Sequence, residues 1–216
     1  ERYRVRIEVA KKNWAAGKIL EILEKSPHRV NRECPVAKLC GGCDFWHMDY
    51  EEESRLKAER VRSSLNRIGG ENLQEMPILS APTCYGYRNK AQYPVAYDNG
   101  EIKTGFYSPH SHRVIHCPDC LLQPSEFEGI LGVFSDYVKK NNVSIYDETT
   151  HRGLLRHIYI RKGSASGEIM VCAVINGNRL PAENTLVENL LAKEKNIKSI
   201  ILNTNTKDTN VILGEK

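Results

Sequence analysis

The chain lacks the long apolar run that a membrane-spanning helix requires. Although 40% of its 216 residues are hydrophobic, no stretch approaches the about 20 apolar residues that cross a bilayer. The N-terminus has no signal-peptide pattern, and we find no internal repeat and no low-complexity tract. With 27% charged residues, the composition predicts a soluble globular protein of one large or two small domains.

Cysteine occurs in an odd number, seven, which does not suit a frame of paired disulfides. Because two C-x2-C spacings are present and no export signal is seen, the pattern favours metal binding in a reducing compartment. We therefore expect a cytoplasmic protein with no membrane association.

The run from Cys34 through Cys40 to Cys43 has the spacing C-x5-C-x2-C. Two cysteines three positions apart can direct both sulfurs to one point, and the glycines between them permit the tight turn. Thiolates at this spacing suit zinc or an iron–sulfur cluster. Either metal needs a fourth ligand, for which Cys117 and Cys120 are the candidates.

The choice between the two metals rests on Cys34. A zinc ribbon would use Cys40 and Cys43 with Cys117 and Cys120, and it would leave Cys34 idle beside Pro35. We therefore favour a [4Fe–4S] cluster whose role is to pin residues 34–43 to residues 112–123, with zinc as the alternative.

Hydrophobic patterning predicts an α+β fold with helices on an antiparallel sheet. Strands are expected at 4–9, 16–23, 87–97, 101–107, 112–116, 155–161, 168–175, 199–203 and 209–213, and helices near 51–68, 124–140 and 181–195. Asp49 is a candidate helix N-cap, and Glu52 could complete a capping box.

The order of several short motifs resembles a family of RNA (uracil-C5) methyltransferases that carry a TRAM domain and a [4Fe–4S] cluster, of the type that modifies 23S rRNA. The matching segments are the cysteine run, Trp46–Tyr50, Tyr87–Gln92, His112–Ile115 with Cys120–Gln123, Asn203–Asn205 and Thr209–Gly214. The resemblance covers nearly the whole chain.

This resemblance implies four regions. Residues 1–30 would be the C-terminal part of the OB-like TRAM barrel, residues 31–48 the cysteine-rich cluster loop, residues 49–70 a helix that packs on the catalytic domain, and residues 71–216 a central RNA-contacting domain. The cluster ligands would be Cys34, Cys40, Cys43 and Cys120, because in the family the fourth cysteine precedes an apolar pair and Gln, as in Cys120–Gln123.

RNA contacts are expected on two basic surfaces. One is the basic segment 1–32. The other carries donors able to grip phosphates and unstacked bases: Arg88, Lys90, Gln92, His112, Arg113 and Arg156. Tyrosines such as Tyr85 and Tyr87 could provide stacking surface. The resemblance makes 23S rRNA the expected partner, with tRNA as the alternative.

The resembling enzymes use a cysteine nucleophile and a glycine-rich loop that holds S-adenosylmethionine. We find neither motif here, since residues 163–167 fit a hairpin tip. We therefore expect a fragment that lacks the methyl-transfer domain and is inactive alone, with S-adenosylmethionine bound only by the full-length enzyme. The rival hypotheses are a stand-alone RNA-binding module with structural zinc and a small iron–sulfur electron carrier.

Overall fold

A computed structural model describes residues 1–215 of the chain. These residues form two compact units, one made of Glu1–Glu33 and Phe45–Ser80, and the other made of Cys34–Asp44 and the chain from Ala81 onward. No helix among the described residues is long and apolar enough to span a membrane.

The first unit contains a two-stranded antiparallel sheet and one helix. The strands are β1 (Arg2–Ala10) and β2 (Ala15–Glu24), and the helix is α1 (Tyr50–Arg67). The apolar positions of β1 alternate as predicted, but Val5 is 47% exposed and Ile7 55% exposed. Two strands alone bury little, and the described residues do not form an OB-like barrel here.

Helix α1 begins at the predicted cap. The Asp49 side chain accepts a hydrogen bond from the Glu52 backbone N–H at 2.7 Å. The second half of the capping box was predicted wrongly, because the Asp49 N–H donates to the His28 carbonyl at 2.9 Å instead. The Glu52 carboxylate is thereby left to pair with Arg55.

The second unit is built on a six-stranded sheet with the order β5-β4-β3-β6-β7-β8. Its strands are β3 (Lys90–Asp98), β4 (Glu101–Tyr107), β5 (Val114–His116), β6 (Leu155–Lys162), β7 (Ile169–Ile175) and β8 (Ile197–Thr204). The expectation of a purely antiparallel sheet is wrong at one edge, where β7 and β8 run parallel. Helix α3 (Glu183–Lys193) lies between these two strands in sequence, and parallel neighbours need such a crossover.

One face of this sheet packs against α2 (Glu126–Lys140) and α3. Fully buried members of the resulting core include Tyr93, Phe127, Ile130, Leu155, Ile158, Ile160, Val171 and Leu190. The other face carries a smaller cluster of Tyr159, Cys172 and Val174, against which Met170 and Ile212 pack. The sheet is therefore covered on both faces near its centre, and the mixed architecture is compatible with the predicted α+β class.

The segment 209–213 is not the predicted strand. The Asn205 amide donates to the carbonyls of Val211 at 2.7 Å and Ile212 at 2.9 Å, so side-chain bonds replace a strand ladder. A Cβ added to Gly214 would lie 1.9 Å from the Thr204 carbonyl oxygen. Only glycine therefore permits this close return of the chain to the end of β8.

Candidate metal and RNA site

Strand register brings the candidate site residues to one end of the sheet. Lys90, the first residue of β3, pairs with Arg161 near the end of β6. Tyr107, the last residue of β4, pairs with Val114, the first residue of β5. Because β3 and β4 are antiparallel, these four positions lie at the same end, which we call the Cys-loop end.

The cysteine loop docks at this end. The Gly41 N–H donates to the Tyr107 carbonyl at 3.0 Å. A Cβ on Gly41 would meet the Tyr107 oxygen at 3.1 Å and the Pro109 nitrogen at 3.3 Å, so glycine allows the loop to approach this closely. Residues 34–44 therefore pack with the sheet unit and not with the segments that flank them in sequence.

The thiols of this loop and the Cys120 thiol influence one another's pKa values. Burial, followed by the neighbouring thiols of Cys120 and Cys40, raises the pKa of Cys43 to about 11. The pKa of Cys40 is also raised, first by burial and then by Cys120 and Cys34. The Gly42 N–H donates to the Cys40 Sγ at 3.4 Å. The loop thus gathers sulfurs in a desolvated environment.

Cys117 and Cys120 form a hydrogen-bonded pair. The bond to Cys120 is the largest cause that raises the pKa of Cys117, and the same bond lowers the pKa of Cys120. The backbone N–H of Leu122 and the Arg88 charge lower the pKa of Cys120 as well. Of the two thiols, Cys120 therefore forms a thiolate more readily than Cys117.

These thiols do not form a complete metal-binding group in the part of the chain that the structure describes. All seven cysteines are free thiols. Within residues 1–215, no three His, Cys, Asp or Glu side chains stand at metal-binding positions. The mutual pKa effects nevertheless connect Cys34, Cys40, Cys43 and Cys120 to one another, as the predicted ligand set requires.

Five of the six predicted RNA contacts lie at or near the Cys-loop end. Arg88 precedes β3 and is exposed, Lys90 is exposed, and Gln92 is half-buried. His112 and Arg113 are exposed just before β5, and the His112 ring stands edge-on to Tyr107 with 5.3 Å between the ring centroids. These residues form an accessible polar surface with a positive charge.

Arg156 does not belong to that surface, and its predicted RNA contact is wrong. It is the extra residue of a β-bulge between Leu155 and His157 and is 3% exposed. Its guanidinium donates to the carbonyls of Asn205 at 3.0 Å and Lys207 at 2.9 Å. The side chain therefore ties β6 to the C-terminal segment.

The basic segment 1–32 is partly neutralised by its own acidic residues. Arg4 pairs with Glu21 at 2.6 Å across the β1–β2 hairpin, and Arg29 pairs with Glu1. The hydrogen bond from Arg29 lowers the pKa of the Glu1 carboxyl. This segment is therefore a weaker phosphate-binding candidate than its count of basic residues indicated.

Sequence reasoning missed a cleft beside the Cys-loop end. The cleft measures about 530 Å³ and is lined by Tyr85–Asn89, Gln123–Glu126, Lys162 and Ser164. Lys162 follows Arg161 at the end of β6. Two consecutive basic residues at a strand end were the feature of the sequence that could have indicated this cleft. The Lys162 ammonium pairs with the Glu126 carboxylate at 2.5 Å.

Comparisons with known proteins find similar sequences that are named RNA methyltransferases. No family model matches. The chain is 37% identical over 216 residues to an uncharacterized RNA methyltransferase of Clostridium tetani, which aligns with 100% of this chain and 47% of that protein. An uncharacterized RNA methyltransferase of Halalkalibacterium halodurans is 38% identical over 217 residues, and the alignment again covers 100% of this chain and 47% of that protein. The chain thus spans about half the length of the curated relatives it matches.

A solved structure shares the fold. The crystal structure of Pyrococcus abyssi tRNA (uracil-54, C5)-methyltransferase in complex with S-adenosyl-L-homocysteine matches with a TM-score of 0.69 and 21% identity. The match covers 98% of this chain and 46% of that one. At this identity the likeness establishes the fold.

Proposed function

We propose that this chain is the RNA-contacting region of an RNA (uracil-C5) methyltransferase. The observation that carries the proposal is the alignment of the whole chain, at 37% identity, with a relative named an RNA methyltransferase. The fold shared with a tRNA uracil-C5 methyltransferase supports the choice of uracil C5. In the full-length enzyme the target base would leave its stack to be methylated, with S-adenosylmethionine as the methyl donor.

The RNA would bind at the Cys-loop end of the sheet. Exposed Arg88 and Lys90 supply positive charge there, and the exposed side chains of His112 and Arg113 add donors. Contacts of this kind bind phosphates and position the RNA, while the unstacked bases are recognised by hydrogen bonding and stacking. We propose 23S rRNA as the substrate and tRNA as the alternative.

A [4Fe–4S] cluster held by Cys34, Cys40, Cys43 and Cys120 is part of this proposal. The support is the gathering of these thiols and the close approach of Gly41 to Tyr107. The cluster would supply a cross-link between the loop and the strand end, and would therefore hold the RNA-binding surface in shape. The structural zinc alternative would use Cys40 and Cys43 with Cys117 and Cys120 and would leave Cys34 without a metal.

We further propose that this chain alone does not transfer methyl groups. Two of its cysteines are buried: Cys172 is 3% exposed inside β7, and Cys117 is 5% exposed. The family's cysteine nucleophile must reach C6 of the target base, and buried thiols do not suit that task. Incubating the chain with S-adenosylmethionine and RNA should give no methylated uridine.

RNA binding by the chain tests the proposed function. Fluorescence anisotropy with a labelled single-stranded rRNA fragment should show weak binding that falls steeply as salt rises. The double variant Arg88→Ala/Lys90→Ala should bind several-fold more weakly. The matched control is Lys139→Ala/Lys140→Ala, which removes the same charge from exposed positions at the far end of α2.

Two outcomes would contradict the proposal. Binding that does not respond to salt, or an equal effect of both double variants, would show that the Cys-loop end is not the RNA surface. Comparing the rRNA fragment with a tRNA at the same salt concentration distinguishes the two substrates. A tRNA preference above tenfold would replace 23S rRNA as the proposed substrate.

A further inference from the structure

The cleft beside the Cys-loop end has a rigid floor. The Gly86 N–H donates to the Leu121 carbonyl at 2.9 Å, and the Arg88 N–H donates to the Leu122 carbonyl at 3.1 Å. On the other side, the Lys162 N–H donates to the Asn89 carbonyl at 2.7 Å. Residues 86–89 are therefore held between the segment after Cys120 and the end of β6, and the cleft is preformed.

The walls of the cleft combine aromatic surface with charge. Tyr85 is 46% exposed and Tyr87 is 54% exposed, while Arg88 adds an exposed guanidinium. Lys162 is neutralised by Glu126, so Arg88 leaves the lining with a net positive charge. Tyrosine rings beside one arginine are the combination that stacks nucleobases and holds their phosphates.

The lining also contains an unpartnered acceptor. Gln123 is 6% exposed, and its side-chain Oε1 has no hydrogen-bond partner within the described part of the chain. A buried acceptor without a partner is costly. Because this oxygen is shielded from solvent, the amide must rotate toward the cleft, which Gln123 lines, before an N–H donor carried by a ligand can satisfy it. Every nucleobase that pairs by its Watson–Crick edge presents such a donor, uracil through N3–H.

We propose that this cleft binds one unstacked nucleotide of single-stranded RNA, with the base stacked on Tyr87 and hydrogen-bonded to Gln123. The volume of about 530 Å³ falls in the range of small-ligand sites. The proposal rests on the proposed RNA-binding function and adds a specific base-binding subsite to it.

The experiment compares matched tyrosine variants on two probes. The probes are a labelled single-stranded RNA oligomer and the same oligomer with abasic residues, which retains the phosphates. Tyr87→Ala should weaken binding of the normal oligomer about tenfold, as loss of one stacked base does, and should leave abasic binding unchanged. Tyr97→Ala is the control, because Tyr97 is 66% exposed on β3 outside the cleft.

Two further variants separate ring stacking and base recognition from folding. Tyr87→Phe keeps the ring and should bind normally, which a loss of fold would not allow. Gln123→Met keeps the side-chain length but removes the acceptor, and should weaken binding of the normal oligomer only. Competition by free UMP then tests whether the site takes a nucleotide outside an RNA chain, and we expect UMP to compete only at concentrations far above those of the oligomer.

The outcomes distinguish this inference from the proposed function. If the wild-type chain binds no RNA, the proposed function fails. If it binds RNA, but Tyr87→Ala and Tyr97→Ala behave alike, or Tyr87→Ala weakens abasic binding equally, the base-binding cleft is overturned while RNA binding stands. Tight UMP binding without oligomer binding would also overturn it, in favour of a mononucleotide site.

Discussion

The guanidinium carbon of Arg156 lies 4.1 Å from the centroid of the Tyr146 ring. The same group donates to carbonyls of the C-terminal segment and lies 3.6 Å from the Glu148 carboxylate. A buried arginine with an aromatic face, backbone acceptors and a carboxylate is held in one position. It therefore fastens the segment that follows β8 to the bulge in β6.

Replacing Arg156 should destabilise the fold and spare RNA binding. Arg156→Met leaves buried carbonyls without donors, and we expect the free energy of unfolding to fall by about 3 kcal/mol. Chemical denaturation measures it, with Arg161→Met, an exposed arginine on the same strand, as the control. If Arg156→Met weakened RNA binding without any loss of stability, Arg156 would have to be part of the RNA-binding surface after all.

His157 should make stability depend on pH. It is 4% exposed, and burial, followed by the charge of Arg156, lowers its pKa to about 4. The unfolded chain therefore binds this proton at a higher pH, near 6.5, than the folded chain does. The histidine's contribution to stability is complete above about pH 6.5 and is lost as the pH falls toward 4, by roughly 3 kcal/mol in all.

Variants isolate the His157 contribution. Unfolding midpoints between pH 7 and pH 4 should fall less steeply in His157→Gln than in the wild-type chain. The exposed His112 provides the control, and His112→Gln should follow the wild-type curve. Parallel curves for all three proteins would contradict the assignment.

The cysteine assignment has a direct chemical test. Chain prepared without oxygen should contain about four irons and absorb visible light, as a [4Fe–4S] cluster requires. Cys120→Ser should remove the iron, whereas Cys117→Ser and the control Cys84→Ser should retain it. If only Cys117→Ser lost the iron, Cys117 and not Cys120 would be the fourth ligand. One zinc per chain without visible absorbance would favour the zinc alternative.

Helix α1 should be less stable than the central sheet. Its apolar stripe is exposed, with Leu56 at 38%, Val61 at 51% and Leu65 at 39%, so packing supports it weakly. We expect its amides to exchange faster than those of β6 and β7, and Asp49→Ala to speed exchange in α1 about fivefold through loss of the cap.

The control for the helix prediction is Asp136→Ala, an exposed acidic residue inside α2, which should leave exchange in α1 unchanged. Exchange in α1 as slow as in the β6–β7 hairpin, in a monomer at low concentration, would show that α1 is held by the chain's own core.

Local patterns in the sequence were enough to predict most helices and strands of the fold. Alternating residues predicted β3, β4, β6 and β7, and the Asp49 cap located the start of α1. The C-x5-C-x2-C run identified three thiols that influence one another's pKa values, and their role as metal ligands stays a prediction. These features depend on residues a few positions apart along the chain, so the sequence by itself determined them.

Tertiary structure decided which faces and ends of the strands are covered. Alternation could not show that β6 is central and buried on both faces, or that a bulge turns Arg156 toward the C-terminal segment. The parallel β8 and the side-chain bonds that replace a strand at 209–213 also depend on distant partners. Strand pairing brings Lys90, Arg161 and Tyr107 to one end of the sheet, although no local pattern relates these residues. The hydrogen bond from Gly41 to Tyr107 then holds the cysteine loop at that end.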